Sequence, residues 1–313
     1  MVQTDNIKPT DKERIIVIGG PTCVGKSDYA VKVALEIGGE VINADSVQIY
    51  KGLDIGSGKL TQEEMRGVPH HLMDIVDPSD DSYTVALYIR QAKSTITDII
   101  SRGKWPIIVG GTGFYINALL HGYNCGNAGP NHELRRRLEG LEKKYGTGYL
   151  FDMLCEIEKD TQIHENDKVR IIRRLELLLS PSSDTDGSTN VYHNAYDALF
   201  ILMDADRAAL DDRAARRIDG MFKAGIMDEV KGLSAYYNRR CMESVGYREI
   251  VEGIALGRTE SEIKEDMRQS YHKLIKKQQT FFKWLQWNDK VVLMNRKTTE
   301  ADKRIAEFVA RGA

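Results

Sequence analysis

The sequence of 313 residues predicts an α/β fold, a parallel sheet flanked by helices, with a helical insertion. Five short apolar runs, typical of buried strands, alternate with stretches of helical periodicity. Because parallel strands need a long crossover, usually a helix, this alternation favours a parallel sheet. A glycine-rich turn directly after the first run supports the same fold class. The runs are residues 14–19, 40–43, 106–109, 199–203 and 291–294.

The glycine-rich turn matches the pattern G-x-x-x-x-G-K-[ST]. In such a loop successive backbone N–H groups converge on a phosphate, Lys26 adds positive charge, and Ser27 offers a hydroxyl to Mg²⁺. Apolar side chains then recur at helical spacing from Tyr29 to Ile37, which places the phosphate at a helix N-terminus. The turn therefore predicts a P-loop NTPase-like fold with a nucleotide-binding, ATP-type phosphate site. Its residues are Gly20, Pro21, Thr22, Cys23, Val24, Gly25, Lys26 and Ser27.

The later elements follow in chain order. A helix over about 83–102 links the second and third strands, and Gly103 ends it. Between residues 125 and 195 the chain becomes charged and helical, with helices predicted over 135–145 and 154–179 and a Ser/Asp/Gly/Pro-rich loop at 180–190. Further helices are predicted near 207–224, 227–238 and 259–286.

This pattern predicts three segments. Residues 1–124 form the first part of the P-loop core, 125–195 form a helical insertion, and 196–313 complete the core and add C-terminal helices. At this length the chain can bury a sizeable core without disulfides.

The composition limits which cellular compartment and which binding partners the sequence predicts. The 44 basic and 46 acidic residues give a net charge of -2, so nucleic acid would have to bind a local basic patch. No apolar run approaches the roughly 18 residues that cross a bilayer, and the first residues lack a signal core. The sequence predicts a cytoplasmic monomer with no membrane segment. Its widely spaced cysteines suggest neither a zinc site nor a disulfide framework; they are Cys23, Cys125, Cys155 and Cys241.

Residues that directly follow strands are the first candidates for chemistry, because ligands bind beyond the carboxyl ends of doubly wound strands. Asp45 follows the second strand and suits a general base or a water-mediated Mg²⁺ contact, although aspartate there also caps helices. Gly110 and Gly111 permit close backbone approach and Thr112 can bond an anion, but a tight turn would use the same residues. Asp204 resembles the acidic residue of an NTPase, yet helix capping is favoured.

Arg217 lies within an apolar helical stripe with Leu210, Ala214 and Met221. A guanidinium on a core-facing side is costly unless it meets an anion, so its partner is either a carboxylate or a bound diphosphate. The residues alone leave both open. The adjacent pair at 70–71, two histidines, is interpreted as packing rather than metal binding, because neighbours in extended chain point apart.

Seven stretches resemble the bacterial tRNA dimethylallyltransferase family, also called tRNA isopentenyltransferases. The resemblance spans about residues 14–290 and is most specific at 42–56 and 67–78. The other matching stretches are 20–27, 110–115, 163–167, 245–249 and 276–280.

The resemblance implies transfer of a dimethylallyl group from dimethylallyl diphosphate to N6 of the adenosine 3′-adjacent to the anticodon of tRNA, with release of diphosphate. It implies Asp45 as catalytic base, because the exocyclic amine of adenine is a poor nucleophile. Arg217, Lys26, the loop amides and Mg²⁺ on Ser27 would stabilise the leaving group, and Thr112 would join the catalytic residues.

The resemblance also implies contact with the anticodon stem-loop, from which the target adenine would be flipped. This sequence departs from the family pattern at Cys23, where Ala or Ser is usual, and at Glu165, where proline is usual, and it has Ser27 for threonine. Departures in the RNA-facing parts leave the accepted set of tRNAs open. The residues implied to contact tRNA are Asp45, Ser46, Val47, Gln48, Thr112, Arg135, Val169, Arg170, Arg173, Lys276 and Lys277.

Three other functions remain alternatives at this stage. A P-loop nucleotide phosphotransferase or NTPase is suggested by the fold alone, but the third strand ends in Gly110-Gly111 rather than in an acidic residue. A prenyltransferase of free adenine nucleotides would not need the basic helical insertion. A catalytically silent RNA-binding module would have no use for Asp45 and Arg217 beside a phosphate loop.

Overall fold

The structure is a computed structural model, and it describes residues 12–121, 131–180, 195–285, 291–295 and 299–311. The chain divides into two compact units. The core unit contains residues 1–122 and 193–313, and the helical unit contains residues 123–192. Cys125 and residues 181–190 of the predicted loop lie outside the described residues.

The core unit contains a six-stranded sheet in which all neighbouring strands are parallel, in the order β3-β2-β4-β1-β5-β6. All five predicted strands are confirmed. The sixth, β3, consists of two residues, which is too short to show any hydrophobic pattern. The strands are β1 Arg14–Gly19, β2 Gly39–Asn43, β3 His70–His71, β4 Trp105–Gly110, β5 Asp197–Asp204 and β6 Val291–Asn295.

Strand β1 lies in the interior of the sheet, with Ile18 beside Val109 of β4 and Ile201 of β5. Its four consecutive residues from Ile15 to Ile18 are fully buried. A strand covered on both faces needs such a continuous apolar run rather than alternation. Because the strands are parallel, the segments after β1, β2, β4 and β5 all leave the same edge of the sheet.

Helices flank this sheet. Those of the core unit are α1 Lys26–Ile37, α2 Gln62–Met65, α3 Val85–Ser101, α4 Gly113–Leu120, α8 Arg207–Lys223, α9 Ile226–Gly232, α10 Tyr247–Leu256, α11 Glu260–Trp284 and α12 Glu300–Ala310. Those of the helical unit are α5 His132–Tyr145, α6 Thr147–Ile157 and α7 Lys168–Leu179. Predicted helices are confirmed at α3, α5, α8 and α11.

Two predicted helices are wrong in their extent. The stretch predicted over 154–179 contains two helices, because Asp167 accepts a hydrogen bond from the N–H of Arg170 and so caps a new helix start at Lys168. The helix predicted over 227–238 ends at Gly232 and gives way to a short 3₁₀ turn, Ser234–Tyr236. Helices α10 and α12 were not predicted.

The helical unit has its own small core. Its three helices bury leucine and isoleucine side chains against one another, so the insertion is an independently packed unit rather than an extended loop. The buried residues are Leu138, Leu150, Leu154, Ile171, Ile172 and Leu175.

Candidate active site

The phosphate loop, residues 20–27, joins β1 to α1 in the conformation that its glycines require. A side chain at Gly20, whose φ is +148°, would overlap the carbonyl oxygen of Met203. Gly25 adopts φ +93° and directly precedes the first helical residue, Lys26. The fully buried side chain of Val24 anchors the loop in the core. The amino end of α1 therefore faces the edge of the sheet, as the sequence predicts.

The loop borders a cavity of about 290 Å³. Residues from five places line it: the segments at the carboxyl ends of β1, β2 and β4, residues between 57 and 73, and α8. Ligands of α/β sheets bind at this position, so the cavity is the candidate active site. Its polar lining includes Thr22, Cys23, Lys26, Ser27, Asn43, Asp45, Gln48, His70, Arg213 and Arg217.

Three cations line the cavity: Lys26, Arg213 and Arg217. The ammonium group of Lys26 donates to the carbonyl of Pro21 at 2.8 Å, and Arg217 Nη2 donates to the carbonyl of Ser57 at 2.9 Å. Arg217 Nε and Arg213 Nη1 are buried without a hydrogen-bond partner. Within the described part of the chain, none of the three forms an ion pair with a carboxylate. The three side chains are half-buried, and cations withdrawn from water favour an anion as partner, so this cavity is suited to bind one.

Burial lowers the pKa of Lys26 to about 8, an effect that the nearby charge of Asp45 opposes and that of Arg217 reinforces. The positive charges thus destabilise one another, and a polyanion would relieve this. The interpretation of Arg217 as a partner of a carboxylate gains no support here, since Ser57 supplies a carbonyl instead. The alternative, a ligand contact, stays a prediction.

Arg213 was missed in the sequence. It precedes Arg217 by four residues, one helical turn, so the two side chains share a face of α8. That i, i+4 spacing from an arginine already assigned to the core-facing stripe was a usable signal.

Asp45 lines the same cavity as these cations. Its Oδ1 accepts the N–H of Val47 at 2.9 Å, and its own N–H donates to Asn43 Oδ1 at 3.0 Å. This is a turn-capping arrangement that fixes the carboxylate without burying it in an ion pair. Among the described residues, Oδ2 of Asp45 has no hydrogen-bond donor. The capping role and the role as a base are therefore compatible.

Thr112 is packed against the segment that carries Asp45. Its hydroxyl accepts the N–H of Ser46 at 3.0 Å and lies 3.2 Å from Ser46 Oγ, to which it donates. A side chain at Gly110 would overlap the carbonyl of Ala44, so glycine allows the ends of β2 and β4 to meet. Gly111 lines the cavity, whereas Thr112 is not among its lining residues. The structure thus places Thr112 beside the site as a support for the Asp45 turn.

Gln278 of α11 was not predicted and joins two loops of the site. Its Oε1 accepts the N–H of Thr22 at 2.9 Å, and its Nε2 donates to the carbonyl of Gly111 at 3.1 Å. The lysines predicted to contact tRNA, Lys276 and Lys277, directly precede it and are exposed. A single amide therefore fixes the phosphate loop relative to the turn after β4.

The helix-capping role predicted for Asp204 is wrong. The residue that precedes α8 as its cap is Asp206, and Asp204 instead accepts hydrogen bonds from the N–H of Ala205 and from Nε2 of Gln279, both at 2.9 Å. Asp204 does not line the cavity. It is therefore not placed to act as the acidic metal-binding residue of an NTPase at this loop.

The predicted tRNA residues of the helical unit fall into two groups. Arg135 and Arg173 both form ion pairs with the buried Glu176, at 2.7 and 2.9 Å. Val169 and Arg170 are exposed, each with 77% of its surface accessible, and Arg170 lies 3.4 Å from Asp167. Their predicted contact with tRNA stays a prediction.

The two adjacent histidines have local partners. His70 Nδ1 lies 2.8 Å from the carbonyl of Val68, and His71 Nε2 lies 2.8 Å from the buried carboxylate of Glu40. Among the described residues, no group of three or more His, Cys, Asp or Glu side chains is placed to hold a metal ion. In the same part of the chain, no helix is both long and apolar enough to cross a membrane.

Comparison with known proteins gives consistent matches. A family model described as IPP transferase matches residues 48–284, and a model described as isopentenyl transferase matches residues 13–78. A tRNA dimethylallyltransferase of Exiguobacterium sp. is 38% identical over 92% of this chain and 93% of its own. One from Symbiobacterium thermophilum is 36% identical over 95% of this chain and 94% of its own.

Solved structures agree. The full-length tRNA isopentenylpyrophosphate transferase of Bacillus halodurans superposes with a TM-score of 0.67 at 35% identity, covering 96% of this chain and 95% of its own. A eukaryotic dimethylallyltransferase acting on tRNA gives a TM-score of 0.77 at 26% identity, covering 96% of this chain and 80% of its own.

Proposed function

Because this chain belongs to the IPP transferase family, whose curated relatives are named tRNA dimethylallyltransferase, we propose how its residues carry out that transfer. The donor is dimethylallyl diphosphate, and the acceptor is N6 of the adenosine 3′-adjacent to the anticodon of a tRNA. The C–O bond to diphosphate breaks, a C–N bond to N6 forms, and N6 loses one proton.

The observation that carries this proposal is the pairing of three cations with one carboxylate in a single cavity. Lys26, Arg213 and Arg217 have no carboxylate ion-pair partner among the described residues, while Asp45 lines the same cavity. The cations receive the negative charge that grows on the departing diphosphate, together with the N–H groups of the phosphate loop. The carboxylate accepts the proton from the attacking amine.

Asp45 suits this role because hydrogen bonds hold its turn. Oδ1 is held by the N–H of Val47, and Thr112 holds the next residue, Ser46. Thr112 therefore contributes by positioning, through the peptide that follows the base. A stacked adenine cannot reach the cavity, so the nucleotide must flip out of the anticodon loop before it meets Asp45.

Mg²⁺ fits the oxygen donors that the cavity offers. Ser27 provides a hydroxyl at the start of α1, and Asp45 provides a carboxylate on the wall of the same cavity. Mg²⁺ commonly binds through one or two protein oxygens, several waters and substrate phosphates. When bound, it would neutralise charge on the diphosphate.

The proposal extends to the partners. The tRNA would bind through its anticodon stem-loop, and the enzyme would work in the cytoplasm as a monomer. An NTPase or phosphotransferase function is disfavoured because Asp204 lies outside the cavity.

The test is incubation with tRNA, dimethylallyl diphosphate and Mg²⁺, followed by mass spectrometry of the nucleosides. We expect prenylated adenosine from the wild type and a loss of about 10²- to 10⁴-fold in turnover for Asp45→Asn, the range for a lost general base. The affinity for tRNA should stay within a few-fold. Asp80→Asn, on an exposed aspartate, is the control. Near-normal turnover of Asp45→Asn would remove it as the base, and rapid ATP hydrolysis without prenyl transfer would overturn the function.

A further inference from the structure

Glu229 of α9 binds a loop of the core unit through three consecutive backbone N–H groups. Its carboxylate accepts from Asp54 at 3.2 Å, Ile55 at 2.7 Å and Gly56 at 3.2 Å. Hydrogen bonds to an ionised acceptor are roughly twice as strong as neutral ones. Neither the sequence motifs nor the proposed chemistry gives this carboxylate a role.

A fourth donor completes the arrangement. The hydroxyl of Tyr247 donates to Glu229 Oε1 at 2.6 Å, and the side chain of Tyr247 is fully buried. Its ring lies so close to the backbone of Gly56 that a side chain there would overlap it. Residues 54–58, which we name the arginine loop because they contact Arg217, are therefore held by Glu229 and Tyr247 together.

The arginine loop presents its carbonyl groups to the candidate active site. The carbonyl of Ser57 accepts Arg217 Nη2 at 2.9 Å. The carbonyls of Ser57 and Gly58 each accept Gln48 Nε2 at 3.2 Å. A side chain at Gly58 would overlap the guanidinium of Arg217. The loop thus contacts two residues of the cavity wall directly.

We propose that Glu229 is a positioning residue that directs Arg217 at the diphosphate through the arginine loop. Arg217 has no carboxylate ion-pair partner among the described residues. Its Nη2 donates to the Ser57 carbonyl and its side chain also meets the hydroxyl of Tyr271, so the position of the Ser57 carbonyl helps to direct the guanidinium. That carbonyl also accepts Gln48 Nε2, and its position follows from the preceding peptides, three of which the Glu229 carboxylate holds. Among the described residues Glu229 forms no ion pair with Arg217, so the guanidinium is oriented without being neutralised by this carboxylate.

This inference rests on the proposed function, because it assigns Glu229 to the same reaction. The test compares Glu229→Gln with Asp228→Asn, an exposed carboxylate on the same helix that serves as the matched control. A glutamine keeps one acceptor oxygen but turns an amide N–H towards a loop donor. We expect kcat to fall about tenfold and binding of inorganic diphosphate to weaken several-fold, because misplaced catalytic groups lose rate steeply. The Kd for tRNA should not change.

A double-mutant cycle separates positioning from general destabilisation. If Glu229 acts through Arg217, adding Glu229→Gln to Arg217→Ala should slow the reaction little beyond Arg217→Ala alone. Multiplication of the two losses would overturn the proposal, and so would a Glu229→Gln enzyme with normal kcat and normal diphosphate affinity.

Tyr247→Phe keeps the proposal testable if Glu229→Gln fails to fold. It removes one of the four donors, so it should reduce kcat by a smaller factor and show the same non-additivity with Arg217→Ala. A fully multiplicative loss in this second cycle would overturn the proposal as well. Failure of the proposed function would look different, since the wild type itself would then form no prenylated adenosine.

Discussion

The cations of the cavity and the cations of the helical unit differ in what they contact. Lys26 and Arg217 donate to backbone carbonyls and have no ion pair with a carboxylate among the described residues. Arg135 and Arg173 share one carboxylate, Glu176, whose side chain is only 1% exposed. The first set leaves a buried positive charge for a ligand to neutralise, and the second neutralises its charge within the fold.

This difference shows why a count of basic residues does not locate an anion site. A buried carboxylate between two arginines contributes to the unit's packing and specificity, and it competes with any phosphate for the same guanidinium groups. A cation that meets only carbonyl and hydroxyl groups keeps its charge available to a ligand. What separates cations available to a ligand from structural cations is therefore the group that each contacts in the fold, not its position in the sequence.

The largest effect that tests this comparison is expected for Arg217→Ala. Loss of one stabilising donor at a developing charge typically costs about 10²- to 10³-fold in turnover. Because no carboxylate is orphaned, the thermal midpoint should change little. Arg216→Ala, on an exposed neighbour paired with Asp212, is the matched control. A large fall in the thermal midpoint with turnover intact would place Arg217 among the structural cations.

Much of the fold and part of the site follow from the sequence, for identifiable reasons. Strand β1 shows a continuous apolar run, and the phosphate loop shows a fixed spacing of glycine, lysine and serine. Both signals lie within a short stretch of sequence. Asp45 and Gly110 were found because strand ends meet at one edge of a parallel sheet. Strand β3, at His70–His71, has no pattern because it is two residues long.

The contacts that could not be predicted join residues far apart in the chain. Glu176 sits in the charged run of α7, and only the fold shows that it is buried between Arg135 and Arg173. Gln278 and Glu229 contact loops more than 150 residues earlier. Their roles depend on backbone groups, which every residue carries, so no residue type at the other end marks the contact.

The second test is Glu176→Gln in the helical unit. It leaves two arginines without their shared anion, and we expect a loss of about 2 kcal/mol in unfolding free energy, since the arginines are about one-third exposed and partly solvated. Hydrogen exchange of α5 and α7 would measure the loss locally. Glu133→Gln, on an exposed pair, is the control. Unchanged protection in Glu176→Gln would contradict the structural role of these arginines.

Acid should have a related effect on the wild type. Burial alone would raise the pKa of Glu176, but the hydrogen bonds from Arg135 and Arg173 outweigh it and hold the pKa below its usual 4.5. The folded state binds this proton less readily than the unfolded state, so the stabilisation is complete above about pH 4.5 and is lost as the pH falls below it. Hydrogen exchange measured against pH should show this loss in the wild type, and Glu176→Gln should lack it.

The smallest effect is expected for Arg170→Glu, which tests whether an exposed cation of the helical unit binds tRNA. The pair of Arg170 with Asp167 is solvent-exposed and 3.4 Å long, so exchanging it for a phosphate costs little. We expect a several-fold weaker Kd for tRNA and a salt slope smaller by about one, as for one lost phosphate contact. Arg137→Glu, equally exposed on α5, is the matched control. Arg173→Glu is a second comparison, because it sets a second carboxylate beside Glu176 and should destabilise the unit. If Arg170→Glu leaves the salt slope unchanged and Arg173→Glu changes only the stability of the unit, then neither arginine contacts the RNA backbone.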